Sequence, residues 1–192
     1  HAVRALVRYQ SVRRVPAGAT PVIGDALNAA SFAEALSPVD TIVHLVGTPH
    51  PNPAKASQFL AVDLASVRAT VEAARISGVQ RLVYVSVAQP APIMHAYVEA
   101  RREGERLIEN SGLNASILRP WYVLGPGHWW PCVLVPVYAI LNRIPAIRPS
   151  AQRLGLLTLR QMRDALVYAV EHPVDGVRIF DVPRIRALTI ST

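Results

Sequence analysis

A phenol and a cation, Tyr97 and Arg101, share one segment of this chain. They stand four residues apart in a charged segment, 97–110, which predicts a helix that ends near Gly112. One helical turn brings such a pair onto the same face, where a cation lowers the pKa of a phenol. The alternative is that Tyr97 is a half-buried helix tyrosine without a chemical role.

Other kinds of reactive site have little support in the sequence. His44, His50, His95 and His128 form no pair with the spacing of metal ligands, so we expect no metal. Cys132 is the single cysteine and lies in an apolar run, where a thiol is more often inert than nucleophilic. No serine stands in a G-x-S-x-G turn, which argues against a Ser-His-Asp hydrolase.

The segments that would position these residues alternate between strands and helices. Short apolar runs bounded by turn residues predict strands over 3–8, 21–25, 41–46, 81–86, 116–119 and 177–182. Helical spacing predicts helices over 56–77, 97–110 and 159–171, and Ser31 with Glu34 predicts a capping box for a short helix over 32–36. This order predicts an α/β domain with a doubly wound parallel sheet and right-handed crossovers.

Composition and charge narrow the possible partners. The net charge of +7 arises from nineteen arginines and one lysine, which are spread along the chain. Because no basic run alternates with aromatic residues, we do not expect nucleic-acid binding. The single cysteine excludes an intrachain disulfide and favours a reducing compartment, so we expect a cytoplasmic protein.

The region after Pro120 differs in composition from the rest of the chain. Residues 121–155 are rich in proline, which predicts loops. The longest apolar run, 132–141, is too short to span a membrane and contains Pro136. With Trp129 and Trp130 beside it, this run is compatible with a peripheral membrane contact or a homodimer contact. A buried or lid segment fits its composition better.

No glycine-rich turn of the G-x-x-G-x-x-G kind follows any predicted strand. Such a turn cradles the phosphates of a dinucleotide in doubly wound folds. We therefore expect that the phosphate-binding segment lies upstream of His1 and that the chain is truncated at its N-terminus. The alternative is a protein that never had this turn.

Several short motifs, in order, resemble the atypical and extended short-chain dehydrogenase/reductase superfamily. The resemblance is to its sugar-nucleotide-epimerase-like and NmrA-like NAD(P)H-binding branch, and it covers nearly the whole chain. The matching motifs are Val3-Arg-Ala-Leu-Val-Arg8, Gly24-Asp25, Val43-His-Leu-Val-Gly47, Gly78-Val-Gln-Arg-Leu-Val-Tyr-Val-Ser86, Tyr97-x-x-x-Arg101, Glu103-Gly-Glu105, Leu118-Arg-Pro120 and Gly125-Pro-Gly127.

The resemblance implies a Rossmann-like domain over residues 1–120 and a small C-terminal substrate or lid lobe over 121–192. It places the family's first, central strand between the first strand of this chain and the strand of His44. We therefore expect a gap in the sheet, with low stability of the isolated chain or collapse of the first two strands together.

The resemblance also assigns residues to a dinucleotide cofactor. Arg8 would lie at the adenine ribose, where an arginine pairs with a 2′-phosphate and favours NADP, although NAD is possible. Asp25 and Ala26 would contact the adenine. The alternatives are a solvated surface arginine at position 8 and a helix-initiating aspartate at position 25.

Two further segments are implied to line the cofactor. Leu45, Val46 and Gly47 end a buried strand, where ligands cross a doubly wound sheet, and Gly47 would let the cofactor approach closely. Residues 120–123, with Pro120 and Val123 at their ends, would contact the nicotinamide carboxamide.

The implied catalytic residues are Tyr97, Arg101 and Ser86, and here the chain departs from the family. Arg101 stands where the family has lysine, and a guanidinium does not readily transfer a proton. Ala88 occupies the place of the family's carbonyl-polarising serine, although Ser86 would still line the pocket. These changes argue against efficient proton-coupled hydride transfer by the usual mechanism.

Two local features allow either a functional or a structural interpretation. Asp63 corresponds to a position where the family often has an asparagine that braces the loop after the preceding strand, and a surface aspartate is equally compatible. The aromatic residues Trp121, Tyr122, Trp129 and Trp130 would form a lid or stacking surface, or pack the two lobes together.

These observations predict an NADP(H)-binding protein of the atypical reductase class. As an enzyme it would be a reductase or isomerase that acts on a small organic substrate of unknown identity. The alternative is a non-catalytic structural or redox-sensing module, similar to NmrA-like proteins or to the accessory subunit of respiratory complex I. Epimerisation of nucleotide sugars is a weaker third choice, since the C-terminal lobe is short for a sugar-nucleotide site.

Overall fold

The computed structural model describes residues 1–125 and 152–188, in which parallel strands alternate with helices. The strands are β1 (Val3–Val7), β2 (Ala19–Ile23), β3 (Thr41–His44), β4 (Arg81–Val85), β5 (Asn114–Leu118), β6 (Tyr122–Leu124), β7 (Leu156–Thr158) and β8 (Val177–Phe180). The helices are α1 (Ala56–Gln58), α2 (Ala65–Ser77), α3 (His95–Glu109), α4 (Leu159–Glu171) and α5 (Val182–Ala187). A π-helical segment, Phe59–Leu64, joins α1 to α2.

The main sheet has the strand order β3-β4-β5-β8, and all of its pairs are parallel. Leu82, Val83 and Tyr84 are buried in succession on β4, as expected for a strand covered on both faces. Residues of α2 and α3 form a core with one face of the sheet, and residues of α4 and α5 form a core with the other face. The predicted doubly wound α/β fold is therefore confirmed.

Strands β1 and β2 form a separate two-stranded parallel sheet. Within the described residues β1 has no strand pairing with β3, so the expected interruption lies between them. The loop that follows β2 links this ribbon to the rest of the protein, because Phe32 and Ala33 pack against Ala69 and Ala73 of α2. Neither β1 nor β2 contains a fully buried residue.

The short helix predicted over 32–36 is replaced by two 3-10 turns, Ala29–Ser31 and Glu34–Leu36. The Ser31 hydroxyl does not cap a helix. It donates to the carbonyls of Asp25 and Asn28 and accepts from the Asp25 N–H. The capping-box prediction was wrong because these local bonds fold the loop around the serine instead.

The C-terminal region contains more regular structure than its composition predicted. Strands β6 and β7 pair in parallel where a loop was expected, and helix α5 follows β8. Asp181 caps α5 by accepting from the Arg184 N–H. Because β8 pairs with β5, this part of 121–192 contributes a strand to the main sheet. The segment 132–141 and its flanking tryptophans lie outside the described residues.

Among the described helices, none has both the length and the apolar character needed to cross a membrane.

Candidate functional site

The candidate site lies at the carboxyl edge of the main sheet, where the segments after β3, β4 and β5 meet. The segments after β4 and β5 remain hydrogen-bonded past the strand ends, through Ser86 N–H to the Leu118 carbonyl and Ala88 N–H to the Pro120 carbonyl. Helix α3 brings Arg101 to the same edge, where its Nη1 donates to the Val85 carbonyl at 2.9 Å. The fold thus gathers the predicted catalytic segments.

Arg101 forms a buried ion pair with Asp63. Its Nη2 lies 2.7 Å from Asp63 Oδ1, and the two side chains are 7% and 0% exposed. A Cβ atom on Gly47 would stand only 2.0 Å from Arg101 Nη2. The missing side chain at position 47 therefore makes room for the guanidinium, and contact between Gly47 and a cofactor remains a prediction.

Asp63 also holds the loop that follows β3. Its Oδ2 accepts from the Thr48 N–H at 3.0 Å and from the Thr48 hydroxyl at 2.6 Å. This confirms the bracing interpretation of Asp63, and the surface interpretation was wrong. The π-helical segment, in which Asp63 is buried beside Leu64, places the carboxylate under the loop.

Tyr97 lies against this ion pair on the neighbouring turn of α3. Its ring centroid is 5.3 Å from Arg101 Cζ and 5.0 Å from the Phe59 ring, which it meets edge-on. Burial raises the pKa of the Tyr97 phenol, Arg101 lowers it in part, and Asp63 raises it further. Arg101 thus lowers this pKa as a cation should, but burial outweighs it and the net shift is upward.

The Arg101 guanidinium remains charged in this environment. Burial alone would lower its pKa, but Tyr97, Tyr84 and Asp63 together raise it above the ordinary value. Tyr84 is fully buried beneath it, and burial raises the pKa of that phenol to about 12. The hydroxyl of Tyr84 fits because position 104 is glycine, where a Cβ would lie 2.9 Å from it.

Ser86 is the third predicted catalytic residue. It is 3% exposed, and its hydroxyl has no hydrogen-bond partner among the described residues. Ala88, which the resemblance places at the family's serine position, is also buried. An unsatisfied buried hydroxyl is uncommon in folded proteins, and the catalytic role of Ser86 remains a prediction.

The predicted adenine-side residues lie on the β1–β2 ribbon, apart from the Arg101 cluster. Arg8 is exposed and directly follows β1. Asp25 is exposed, and its Oδ1 accepts from the Leu27 N–H at 3.0 Å in the turn that contains Ala26. The carboxylate thus shapes a turn, and adenine binding by Asp25 and Ala26 remains a prediction.

The predicted nicotinamide-side residues flank the end of β5. Pro120 is buried, and Val123 of β6 is partly buried against the core that includes Leu157. Leu45, at the end of β3, is 61% exposed, and Val46 is partly buried. Cofactor contact by these residues also remains a prediction.

Two cavities lie along the outer side of α3, and Tyr97 lines neither of them. Their volumes are about 320 and 540 Å³, and Arg102 and Pro90 line both. Glu105 and Arg119 line the smaller cavity and form an ion pair, in which Arg119 Nε lies 3.0 Å from Glu105 Oε1. Each arginine on these walls already has a carboxylate partner, so the cavities do not form an evident anion site.

Sequence reasoning missed Thr48, Tyr84 and the Glu105–Arg119 pair. The glycines were the one signal in the sequence for these buried side chains, since Gly47 and Gly104 each lie against a large polar side chain. No spacing rule connects Asp63 with Arg101, because they belong to different helices.

One curated relative and two solved structures show what the chain is similar to. Ceramide reductase of Caulobacter vibrioides is 28% identical over 127 residues, which are 66% of this chain and 40% of that protein. A nucleoside-diphosphate-sugar epimerase of Staphylococcus aureus matches with a TM-score of 0.61 at 17% identity, covering 93% of this chain and 61% of the other. The Bordetella bronchiseptica enzyme WbmH, solved in complex with NAD⁺, matches with a TM-score of 0.64 at 19% identity, covering 93% and 66%.

The structural matches establish a shared fold. The chain spans 40% of the length of the reductase and 61% of the length of the epimerase. A family model described as NAD(P)H-binding matches residues 1–125, about two thirds of the chain. This protein therefore belongs to that NAD(P)H-binding family.

Proposed function

We propose that this chain is the nucleotide-binding part of an NADP(H)-dependent oxidoreductase that acts on a small organic substrate. The observation that carries the proposal is the position of Tyr97 beside Arg101, whose guanidinium donates to the Val85 carbonyl at the carboxyl edge of the sheet, next to Ser86, in a member of an NAD(P)H-binding family. A curated relative named as a reductase supports reduction over epimerisation.

The residues at this edge fit a dinucleotide. The exposed apolar side chain of Leu45 offers a surface for a flat ring, and the unpaired Ser86 hydroxyl offers a buried hydrogen-bonding group. Arg8 would hold the 2′-phosphate, and Asp25 with Ala26 would contact the adenine. Val46, Gly47, Pro120 and Val123 would line the remaining path of the cofactor.

Tyr97 is the residue that we assign to proton transfer. When bound, NADP(H) would supply or accept the hydride. Tyr97 stays protonated near neutral pH because burial raises the pKa of its phenol, so it suits proton donation to a carbonyl oxygen. Ser86 would donate a hydrogen bond to the same oxygen, and Arg101, which would touch neither reactant, would position the segments around them.

The second candidate function is nucleotide binding without turnover, as in a structural or redox-sensing module. It is favoured by the engagement of Arg101 with Asp63 and the Val85 carbonyl, which leaves this cation less suited to the role of the family's lysine. The replacement of the expected serine by Ala88 also favours nucleotide binding without turnover.

Fluorescence titration of the full-length protein with NADPH and NADH tests the cofactor assignment. We expect Arg8→Ala to weaken NADPH binding about tenfold or more and to leave NADH binding unchanged, since the variant loses charged hydrogen bonds to the 2′-phosphate. Arg68→Ala, on the exposed surface of α2, is the matched control. Equal losses for both cofactors would contradict the role of Arg8, and no binding by the wild type would contradict the proposed function.

Tyr97→Phe distinguishes the enzyme from the binding module. With NADPH and a panel of carbonyl substrates that includes lipid ketones, we expect turnover to fall by about two orders of magnitude or more, the scale of general acid catalysis. NADPH affinity should change little, and Tyr168→Phe on α4 is the control. Full turnover in Tyr97→Phe would refute its acid role, and binding without turnover in the wild type would favour the module.

A further inference from the structure

We propose that Asp63 and Arg101 act together as a positioning clamp, which holds the loop after β3 in the conformation needed to bind the nucleotide. In this proposal Arg101 acts through the protein and does not contact the reactants. The nucleotide part of the inference rests on the proposed function, whereas the holding of the loop does not.

The clamp joins four separate parts of the fold. Arg101 on α3 reaches Asp63 in the π-helical segment and donates to the Val85 carbonyl at the end of β4. Its guanidinium fills the space that Gly47 leaves open beside the end of β3. One cation therefore ties a helix, a π-helical turn and two strand ends together.

Asp63 passes this constraint to the loop itself. While Oδ1 faces Arg101, Oδ2 accepts from both the N–H and the hydroxyl of Thr48. Thr48 is 6% exposed and lies three residues after the exposed Leu45. Fixing Thr48 sets the path of Val46 and Gly47, the residues at which a ligand crosses this edge of the sheet.

The burial of the Asp63–Arg101 ion pair argues against a direct effect of the Arg101 charge on a bound ligand. Both side chains are more than nine-tenths buried, and the aromatic rings of Tyr97 and Tyr84 lie within 6 Å of the guanidinium carbon. A cation enclosed in this way, with a carboxylate at ion-pair distance, presents little net charge to a ligand.

Variants of Asp63 and Arg101 can separate an effect on protein stability from an effect on the position of the loop, because buried ion pairs respond differently to the loss of one partner and of both. Removing one partner leaves an uncompensated buried charge, which destabilises a protein, whereas replacing both by apolar residues of similar volume is often neutral. The double variant Asp63→Leu/Arg101→Met should therefore regain the melting temperature lost in Asp63→Asn and Arg101→Met. It still lacks the acceptor for Thr48.

Amide hydrogen exchange at Thr48 tests the clamp without any ligand. We expect the Thr48 amide to exchange about tenfold faster or more in the Asp63→Asn, Arg101→Met and double variants, since its charged acceptor is lost or displaced. Glu72→Gln, which removes an exposed ion pair with Arg75, should change neither exchange nor melting. Wild-type protection of Thr48 in the folded double variant would overturn the proposal.

Nucleotide titration of the same variants separates the clamp from a direct effect of charge. Asp63→Asn should lower the pKa of Tyr97 and Arg101→Met should raise it, which absorbance of the phenolate reports. The clamp predicts that NADPH affinity falls about tenfold in both single variants and in the stable double variant. If affinity instead rises in Asp63→Asn and falls only in Arg101→Met, Arg101 acts through its charge and the clamp is wrong.

If the wild type binds no nucleotide, the proposed function fails, while Thr48 exchange still decides whether the loop is clamped.

Discussion

At the scale of single residues, the site is organised by buried polar groups and by the small residues that make room for them. Gly47 admits the Arg101 guanidinium, and Gly104 admits the Tyr84 hydroxyl. Such positions are tightly packed, so even a methyl group there requires neighbouring atoms to move. The glycines of this cluster are thus part of the site although they carry no functional group.

His44 is a second buried polar residue, placed between β3 and α2. Its Nδ1 lies 3.0 Å from the Thr70 hydroxyl and its Nε2 lies 3.3 Å from the Ser66 hydroxyl. Burial, assisted by the nearby charge of Arg101, lowers the pKa of His44 to about 3. The folded protein therefore keeps this imidazole neutral over a wide range of pH.

Acid should destabilise the protein partly through His44. The unfolded chain takes up a proton near pH 6.5, whereas the folded protein does so only near pH 3, so the free energy of unfolding falls by about 1.4 kcal/mol per pH unit between these values. Above about pH 6.5, His44 is neutral in both the folded and the unfolded protein, so it no longer makes the free energy of unfolding depend on pH. We expect His44→Gln to flatten the pH dependence in this window, as measured by urea unfolding at several pH values.

The exposed His95→Gln variant should keep the wild-type slope in the same experiment. A His44→Gln variant with an unchanged slope would show that His44 titrates normally in the folded protein.

At the scale of elements, the chain divides between well-packed and sparsely packed strands. The central strands β4 and β5 are buried on both sides by helices. The β1–β2 ribbon carries the predicted adenine-side residues but buries none of its own side chains fully. Two-stranded sheets are only marginally stable by themselves, so this ribbon depends on the contacts of Phe32 and Ala33 with α2.

Native-state hydrogen exchange should reveal this division. We expect the amides of β1 and β2 to exchange at least about a hundredfold faster than those of β4 and β5, since local opening of the ribbon exposes little apolar surface. Addition of NADPH should slow exchange in the ribbon if Arg8 and Asp25 hold the nucleotide. Equal protection of both sheets would contradict this view of the ribbon as a separate, weakly held unit.

Most elements were predictable because their signals are local. The periodicity of 56–77 with Gly78 at its end gave a helix that the structure ends at Ser77, with Gly78 in the left-handed conformation. The apolar run before Ser86 gave β4. The loop around Ser31 and the pairing of β6 with β7 were not predictable, since local bonds redirected the first and tertiary contacts formed the second.

At the scale of the whole molecule, the doubly wound arrangement explains why residues distant in the sequence form one site. Parallel strands joined by right-handed crossovers bring their carboxyl ends to a single edge. Helix α3 then carries Tyr97 and Arg101 to the segments after β3 and β4.

The sequence by itself determined the order of strands and helices, the doubly wound fold and the resemblance to NAD(P)H-binding reductases. Each of these depends on local periodicity or on short motifs, which a linear sequence contains. Only the tertiary structure decided that Asp63 neutralises Arg101, that Gly47 makes room for this pair and that burial outweighs the cation in setting the pKa of Tyr97. These properties depend on distance and burial between segments far apart in the chain, and no spacing in the sequence encodes them.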